Sequence, residues 1–248
     1  MSKFLIALLT VFCFNTIAAE LASHSMNQEV LLDKIEKAAD PKGVCKTWKT
    51  LIMKMKMSVP MQKIEISTTI MAKFPDKTKT IADVPGMTKV IEVLNGNKSW
   101  TETVGLGIQM KSGRQLAFAK FKAKRANPTL KLTEIYEKVT LDPALYQFGK
   151  YKCYKLICST PKELKIKPEE FYIDNKEFLP RWHISSEFSE MGVIPVKSEF
   201  LKYKTFKGAK IPMLVNNHMM GIKMIVEIIS VTPNAKIADS EFALPKDK

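Results

Sequence analysis

Polar and apolar residues alternate along most of this chain. Over residues 47–57, Leu51, Met53, Met55 and Met57 share one parity, while Lys54 and Lys56 take the other. Over 62–72, Ile64, Ile66, Thr68 and Ile70 alternate with Lys63, Glu65, Ser67 and Thr69. The run 100–110 repeats the pattern through Trp100, Val104, Leu106, Ile108 and Met110, and 182–188 repeats it through Trp182, Ile184, Ser186 and Phe188. Further runs cover 89–94, 150–158, 170–174, 196–203, 211–218 and 222–231. A period of two places successive side chains on opposite faces of a strand. Roughly ten strands follow, divided by turn signals such as Asn95-Gly96, Asp174-Asn175 and Lys207-Gly208. Strands of this kind form an antiparallel sheet with one apolar face, and that face needs cover.

Two helices are available to cover it. Ser25-x-x-Gln28 reads as a capping box ahead of the stripe Leu31, Ile35, Ala38 and Ala39, and Asp40-Pro41-Lys42-Gly43 ends it, which predicts a helix over 25–39. Ser112-Gly113-Arg114-Gln115 opens a second, over 114–126, which Asn127-Pro128 ends. Leu116, Ala117, Phe118 and Phe121 give that helix an apolar side. Arg114, Lys120, Lys122, Lys124 and Arg125 make the rest of it basic. Such a helix could be a lid, a membrane-surface element or a permanent part of the core. The fold class is therefore α+β and mostly antiparallel β. A sheet of this size curled round two helices either packs fully or leaves an apolar hollow.

The N-terminus points to export. Lys3 precedes an apolar run over 4–14, followed by Thr16-Ile17-Ala18-Ala19. This is the pattern of a secretory signal peptide, and it falls short of the about 20 apolar residues that span a bilayer. Cleavage is expected after Ala19, with Ala18 as the alternative, leaving residues 20–248 as one periplasmic domain. Phe12 stands before Cys13, where a lipoprotein signal requires a small residue, so the chain is not read as a lipoprotein. Three cysteines remain in an oxidising compartment. Cys153 and Cys158 differ by five positions and point to opposite faces of a strand. One disulfide to Cys45 and three buried thiols are both open.

Of the 39 basic residues, only Arg114, Arg125 and Arg181 are arginines, which leaves 36 lysines against 25 acidic residues. Base-reading nucleic-acid sites favour the planar arginine fork, so no nucleic-acid partner is expected. Signals for catalysis are weak. No Gly-x-Ser-x-Gly, His-Glu-x-x-His or Cys-x-x-Cys occurs. Gly105-x-Gly107 lacks the third glycine of a dinucleotide loop. His24, His183 and His218 are scattered, and His183 alternates onto the face opposite Trp182 and Ile184. No metal, cofactor or enzymatic activity is expected.

Four motifs in order carry a more specific signal: Asn95-Gly96-x-x-x-Trp100; Phe171-Tyr172-Ile173-Asp174 with Leu179-Pro180-Arg181-Trp182; Tyr203-x-x-x-x-Gly208-x-x-Ile211-Pro212; and Asn234-x-x-Ile237-x-Asp239-x-x-Phe242-x-x-Pro245. Behind a signal peptide, this series resembles the periplasmic lipoprotein carrier superfamily (LolA-like), over residues 90–245 by motif and 25–89 by pattern. The resemblance implies a curved, half-open barrel with the two helices as a lid over an apolar cavity that holds acyl chains without catalysis. Lipoprotein carriers proper also use an arginine beneath the lid on an early strand. This chain has no arginine before Arg114, so no such residue carries over.

These lines converge on an exported carrier, acting as a monomer, for a lipid, an acyl chain or a lipidated protein bound for the outer membrane. It would make transient contact with envelope membrane proteins. The alternative is an envelope sensor with the same fold and no transport role. Candidate ligand-binding residues are Met53, Met55, Met57, Ile64, Ile66, Trp100, Leu106, Phe118, Phe121 and Trp182. Methionine is polarizable and adaptable, which suits a cavity filled by varied chains.

Overall fold

A computed structural model describes residues 19–84, 86, 88–189 and 192–245. The expected leader, residues 1–19, lies outside the described residues except for Ala19, which begins the first strand. Fourteen strands form one sheet: β1 (Ala19–Ser23), β2 (Thr50–Val59), β3 (Ile64–Lys73), β4 (Lys77–Asp83), β5 (Val90–Asn95), β6 (Lys98–Thr103), β7 (Gly107–Lys111), β8 (Lys138–Phe148), β9 (Tyr151–Ser159), β10 (Glu169–Asp174), β11 (Pro180–Ser189), β12 (Gly192–Phe206), β13 (Ala209–Met219) and β14 (Ile222–Pro233). Their order is β1-β8-β9-β10-β11-β12-β13-β14-β2-β3-β4-β5-β6-β7, antiparallel throughout. β1 and β7 are edges, so the sheet is open.

The expected count of about ten rises to fourteen for physical reasons. The run 100–110 is a hairpin rather than one strand. Gly105 and Gly107 adopt φ of +84° and +117°, and Leu106 N–H donates to Thr103 O, so the chain reverses at Leu106. β8 carries Pro143, which reads as a strand breaker. It is tolerated because the β8–β9 register shifts between Leu141 and Leu145, the kind of irregularity that accepts a missing N–H. β4 alternates lysine with threonine and lacks an apolar parity in its first half. β1 begins at the expected leader boundary.

The helices are α1 (Gln28–Ala39), α2 (Gly113–Arg125) and a single turn, α3 (Leu132–Ile135). α1 starts three residues later than its sequence signal, because Asn27 Oδ1 accepts from the N–H groups of Glu29 and Val30 at 2.8 and 3.3 Å. Gln28 instead accepts from Leu141 N–H of β8. Leu31 of α1 and Phe118 and Phe121 of α2 are buried against Leu156 and Cys158 of β9 and Ile173 of β10. Cys45, Cys153 and Cys158 are free and buried. Burial pushes each thiol up to about 12.

α2 shows how far the sheet curls. Lys122 Nζ lies 3.2 Å from Glu92 on β5 and 3.9 Å from Glu187 on β11. Those strands are seven ladders apart in the sheet order. At about 4.8 Å per ladder, a flat sheet would separate them by roughly 34 Å. One ammonium can reach both carboxylates only if the sheet bends round the helix. The result is a half-open barrel with α1–α3 against its inner face.

Candidate functional site

Register identifies the inner face strand by strand. Leu94 of β5 packs on Ala119 and Ala123 of α2. Leu94 stands opposite Thr78 of β4, Thr78 opposite Ala72 of β3, and Ala72 opposite Leu51 of β2. Leu51 therefore faces inward, and Met53, Met55 and Met57 share its parity. Ile66 pairs with Met57 and Ile64 with Val59, so these two isoleucines face inward as well. All five are half-buried. Met53 and Met55 pack against a cluster formed by Leu51, Ile228 and Val231.

The other expected site residues lie elsewhere. Phe118 and Phe121 are buried in the core beneath α2, against Phe188 at 4.6 Å and Tyr136 at 5.6 Å between ring centroids. Leu106 sits on the β6–β7 turn, 83 % exposed. Trp100 faces outward, packed with Val93 and Phe242 of the C-terminal segment. Trp182 also faces outward, stacked on Phe148 at 4.3 Å beside Cys153 and Tyr172. Its neighbour His183 is the inward residue. Apolar parity misleads at Trp182 because the outer aromatics are shielded by cationic stems instead of a helix. Arg181 lies 4.4 Å from the Tyr151 ring centre, and Lys155 lies 5.4 Å from that of Tyr146.

A cavity of about 460 Å³ lies between the helices and the inner face of β10–β14. That is within the usual range of ligand pockets, about 300–1,000 Å³. Its roof is Arg125, Leu132, Ile135 and Tyr136, and none of the ten expected residues lines it. Met219 and Met224 line its apolar end. Register carries that end onward: Met224 opposes Asn217, and Val226 on the same face of β14 opposes Met57, which opposes Ile66. The methionine strip of β2 thus shares the inner face of the sheet with the cavity, one strand beyond Met224.

Its polar end is a buried network around Glu169, whose side chain is fully buried. Arg125 donates to Glu169 at 2.6 Å and to Glu187 at 2.9 Å. Tyr136 Oη donates to Glu169 at 2.5 Å, and His183 Nε2 lies 2.7 Å from the same oxygen. Burial opposes ionisation of Glu169, but the His183 hydrogen bond and the Arg125 charge prevail and hold it below the usual carboxylate range. Burial dominates at His183 and lowers its pKa despite Glu169. The neutral ring stacks on Phe171 at 4.0 Å and donates from Nε2. On the far side of α2, Glu92 is held down to about 2: burial would raise it, but Lys122 and Lys111 overcome that.

The His183 shift sets a pH dependence. An unfolded imidazole takes up its proton near pH 6.5, whereas the folded ring does so only lower. The unfolded state therefore gains the proton first, and stability declines as pH falls from about 6.5 towards the folded value. Thermal melts at pH 7 and pH 5 should record that decline. His183→Gln should shrink it, and an undiminished decline would assign it to other groups.

Sequence reasoning passed over Glu169, Asn217 and the inward role of His183, because isolated polar residues within strands carry no motif. Arg125 did carry a signal. All three arginines are structural clamps: Arg114 donates to Leu164 O and Lys165 O, and Arg181 to Asp174 and Glu177. Scarcity of the planar fork amid so many lysines marks the places where two acceptors must be held at once.

The sheet order, the helices on one face and the cavity beneath them can be set beside known structures. The fold is LolA-like. An outer membrane lipoprotein-sorting protein domain from Vibrio parahaemolyticus superposes with a TM-score of 0.56 at 14 % identity, covering 87 % of this chain and 97 % of that one. A LolA superfamily protein from Nitrosomonas europaea gives 0.57 at 11 %, covering 89 % and 99 %. A DUF1329 family protein from Desulfovibrio piger gives 0.57 at 12 %, covering 87 % and 96 %. No protein-family model matches the sequence, and no curated protein matches it.

Proposed function

We propose that this protein is an exported carrier that binds a lipid, an acyl chain or the acyl chains of a lipidated protein along its inner face, without catalysis. The observation that carries this reading is that the cavity under α2 and α3 lies on the same inner face as the half-buried methionine strip of β2, one strand away. A chain laid along that face would gain about 0.8 kcal/mol for each methylene removed from water, and ten or so methylenes leave several kcal/mol after ordering costs. The structural neighbours support the reading, since one is described as an outer membrane lipoprotein-sorting protein domain. The leader over 1–19 would deliver the chain to the periplasm as a monomer, from where it hands its cargo towards the outer membrane through brief contacts with envelope membrane proteins.

Substitutions on the two faces of β2 test this directly. Met57→Lys places a cation on the inner strip and should weaken binding of a fluorescent fatty-acyl probe by about tenfold or more, a loss of about 1.4 kcal/mol. Lys54→Glu, on the outer face, should change it by less than about twofold, well under 1 kcal/mol. Equal effects from both would remove the inner face from ligand binding.

A further inference from the structure

The polar end of the cavity is closed in charge. Glu169 and Glu187 face Arg125 and Lys122, two carboxylates against two cations, each engaged in at least one ion pair. His183 spends its Nε2 on Glu169. The floor adds the hydroxyl groups of Ser185 and Ser198 and the side chain of Asn217. Among the described residues, Asn217 Oδ1 is the one buried side-chain polar atom that no protein group satisfies. A buried acceptor left in this state costs free energy until a donor reaches it.

These two observations restrict what can enter. A carboxylate or phosphate would be taken out of water beside Glu187, with every nearby cation already engaged, and burying an uncompensated charge is costly. An ammonium would meet carboxylates already committed to Arg125 and Lys122. A neutral group with a hydroxyl or amide N–H meets neither cost and supplies the donor that Asn217 lacks. We propose that the cavity selects uncharged lipids, holding their polar end by a hydrogen bond donated to Asn217 Oδ1 while the chain lies over Met219 and Met224 towards Met57. This rests on the carrier reading and adds to it the chemical class of the cargo.

Calorimetric titration of the full chain with monododecanoylglycerol and with dodecanoate tests it, at pH 8 and below the micellar concentrations. The wild type should bind the neutral ligand about tenfold more tightly or better, the scale of one well-made buried hydrogen bond together with an avoided buried charge. Asn217→Leu should narrow that ratio to less than about threefold, mainly by weakening the neutral ligand. Equal affinities in the wild type would overturn the selectivity while leaving the carrier reading intact. A full preference retained in Asn217→Leu would overturn the role of Asn217. Binding of neither ligand to the wild type would remove the carrier reading itself. The wild-type comparison needs no variant, so a poorly folding substitution does not blunt the test.

Discussion

Arg125→Met should lower the unfolding free energy by about 3–5 kcal/mol, the usual cost of removing one partner from a buried ion pair. At about 2–4 °C per kcal/mol for a chain of this size, the midpoint should fall by roughly 6–20 °C. The reason is Glu169, fully buried with Arg125 at 2.6 Å. Without Arg125 its charge rests on Tyr136 and a neutral His183 alone. The double variant Arg125→Met, Glu169→Gln removes that stranded charge and should recover more than half of the loss. Differential scanning calorimetry of the two variants decides the matter. A double variant no more stable than the single one would mean that packing, and not charge, holds the end of α2.

The second large effect is expected at the opposite face. Phe242→Ala should cost about 3–5 kcal/mol, as for other fully buried phenylalanines. Phe242 has no exposed surface and packs on Val93 and Trp100, and its carbonyl accepts from Asn95 at 3.0 Å. It anchors the C-terminal segment over the outer side of β5 and β6. The ion pairs of Asp239 with Lys73 and Lys77, at 3.0 and 2.8 Å, are exposed, and water and salt screen such pairs so that they contribute little. Asp239→Asn should therefore leave the midpoint nearly unchanged, while Phe242→Ala both lowers it and shifts Trp100 emission to the red. A comparable loss from Asp239→Asn would show that charge and not the aromatic ring docks this segment.

The alternation of residues was enough to read an antiparallel sheet with helices on one side, because a period of two is imposed by backbone geometry and survives any tertiary context. It was not enough to tell inside from outside everywhere. On β2 the parity is legible, since Met53, Met55 and Met57 oppose Lys54 and Lys56. On β11 it inverts: Trp182 points out and His183 points in. The outer ring is sealed by lysine and arginine stems, and the inner histidine by a carboxylate brought from β10. Both are long-range pairings that local spacing does not record. The cavity is hidden for the same reason. Its residues come from seven elements and become neighbours only once the sheet has curled.

That curl has a consequence for what the protein can accommodate. A closed barrel has its bore dictated by strand number and stagger, so resizing it means rebuilding its hydrogen-bond ladder. Here the two arms of the sheet are tied through α2, whose Lys122 spans Glu92 and Glu187 and whose Arg125 holds Glu169 and Glu187. The width of the opening is thus a side-chain property of a single helix. Longer or shorter ties on that helix would respace the arms with every strand pairing left in place, so the width of the groove could be retuned by a few side chains rather than by a new fold.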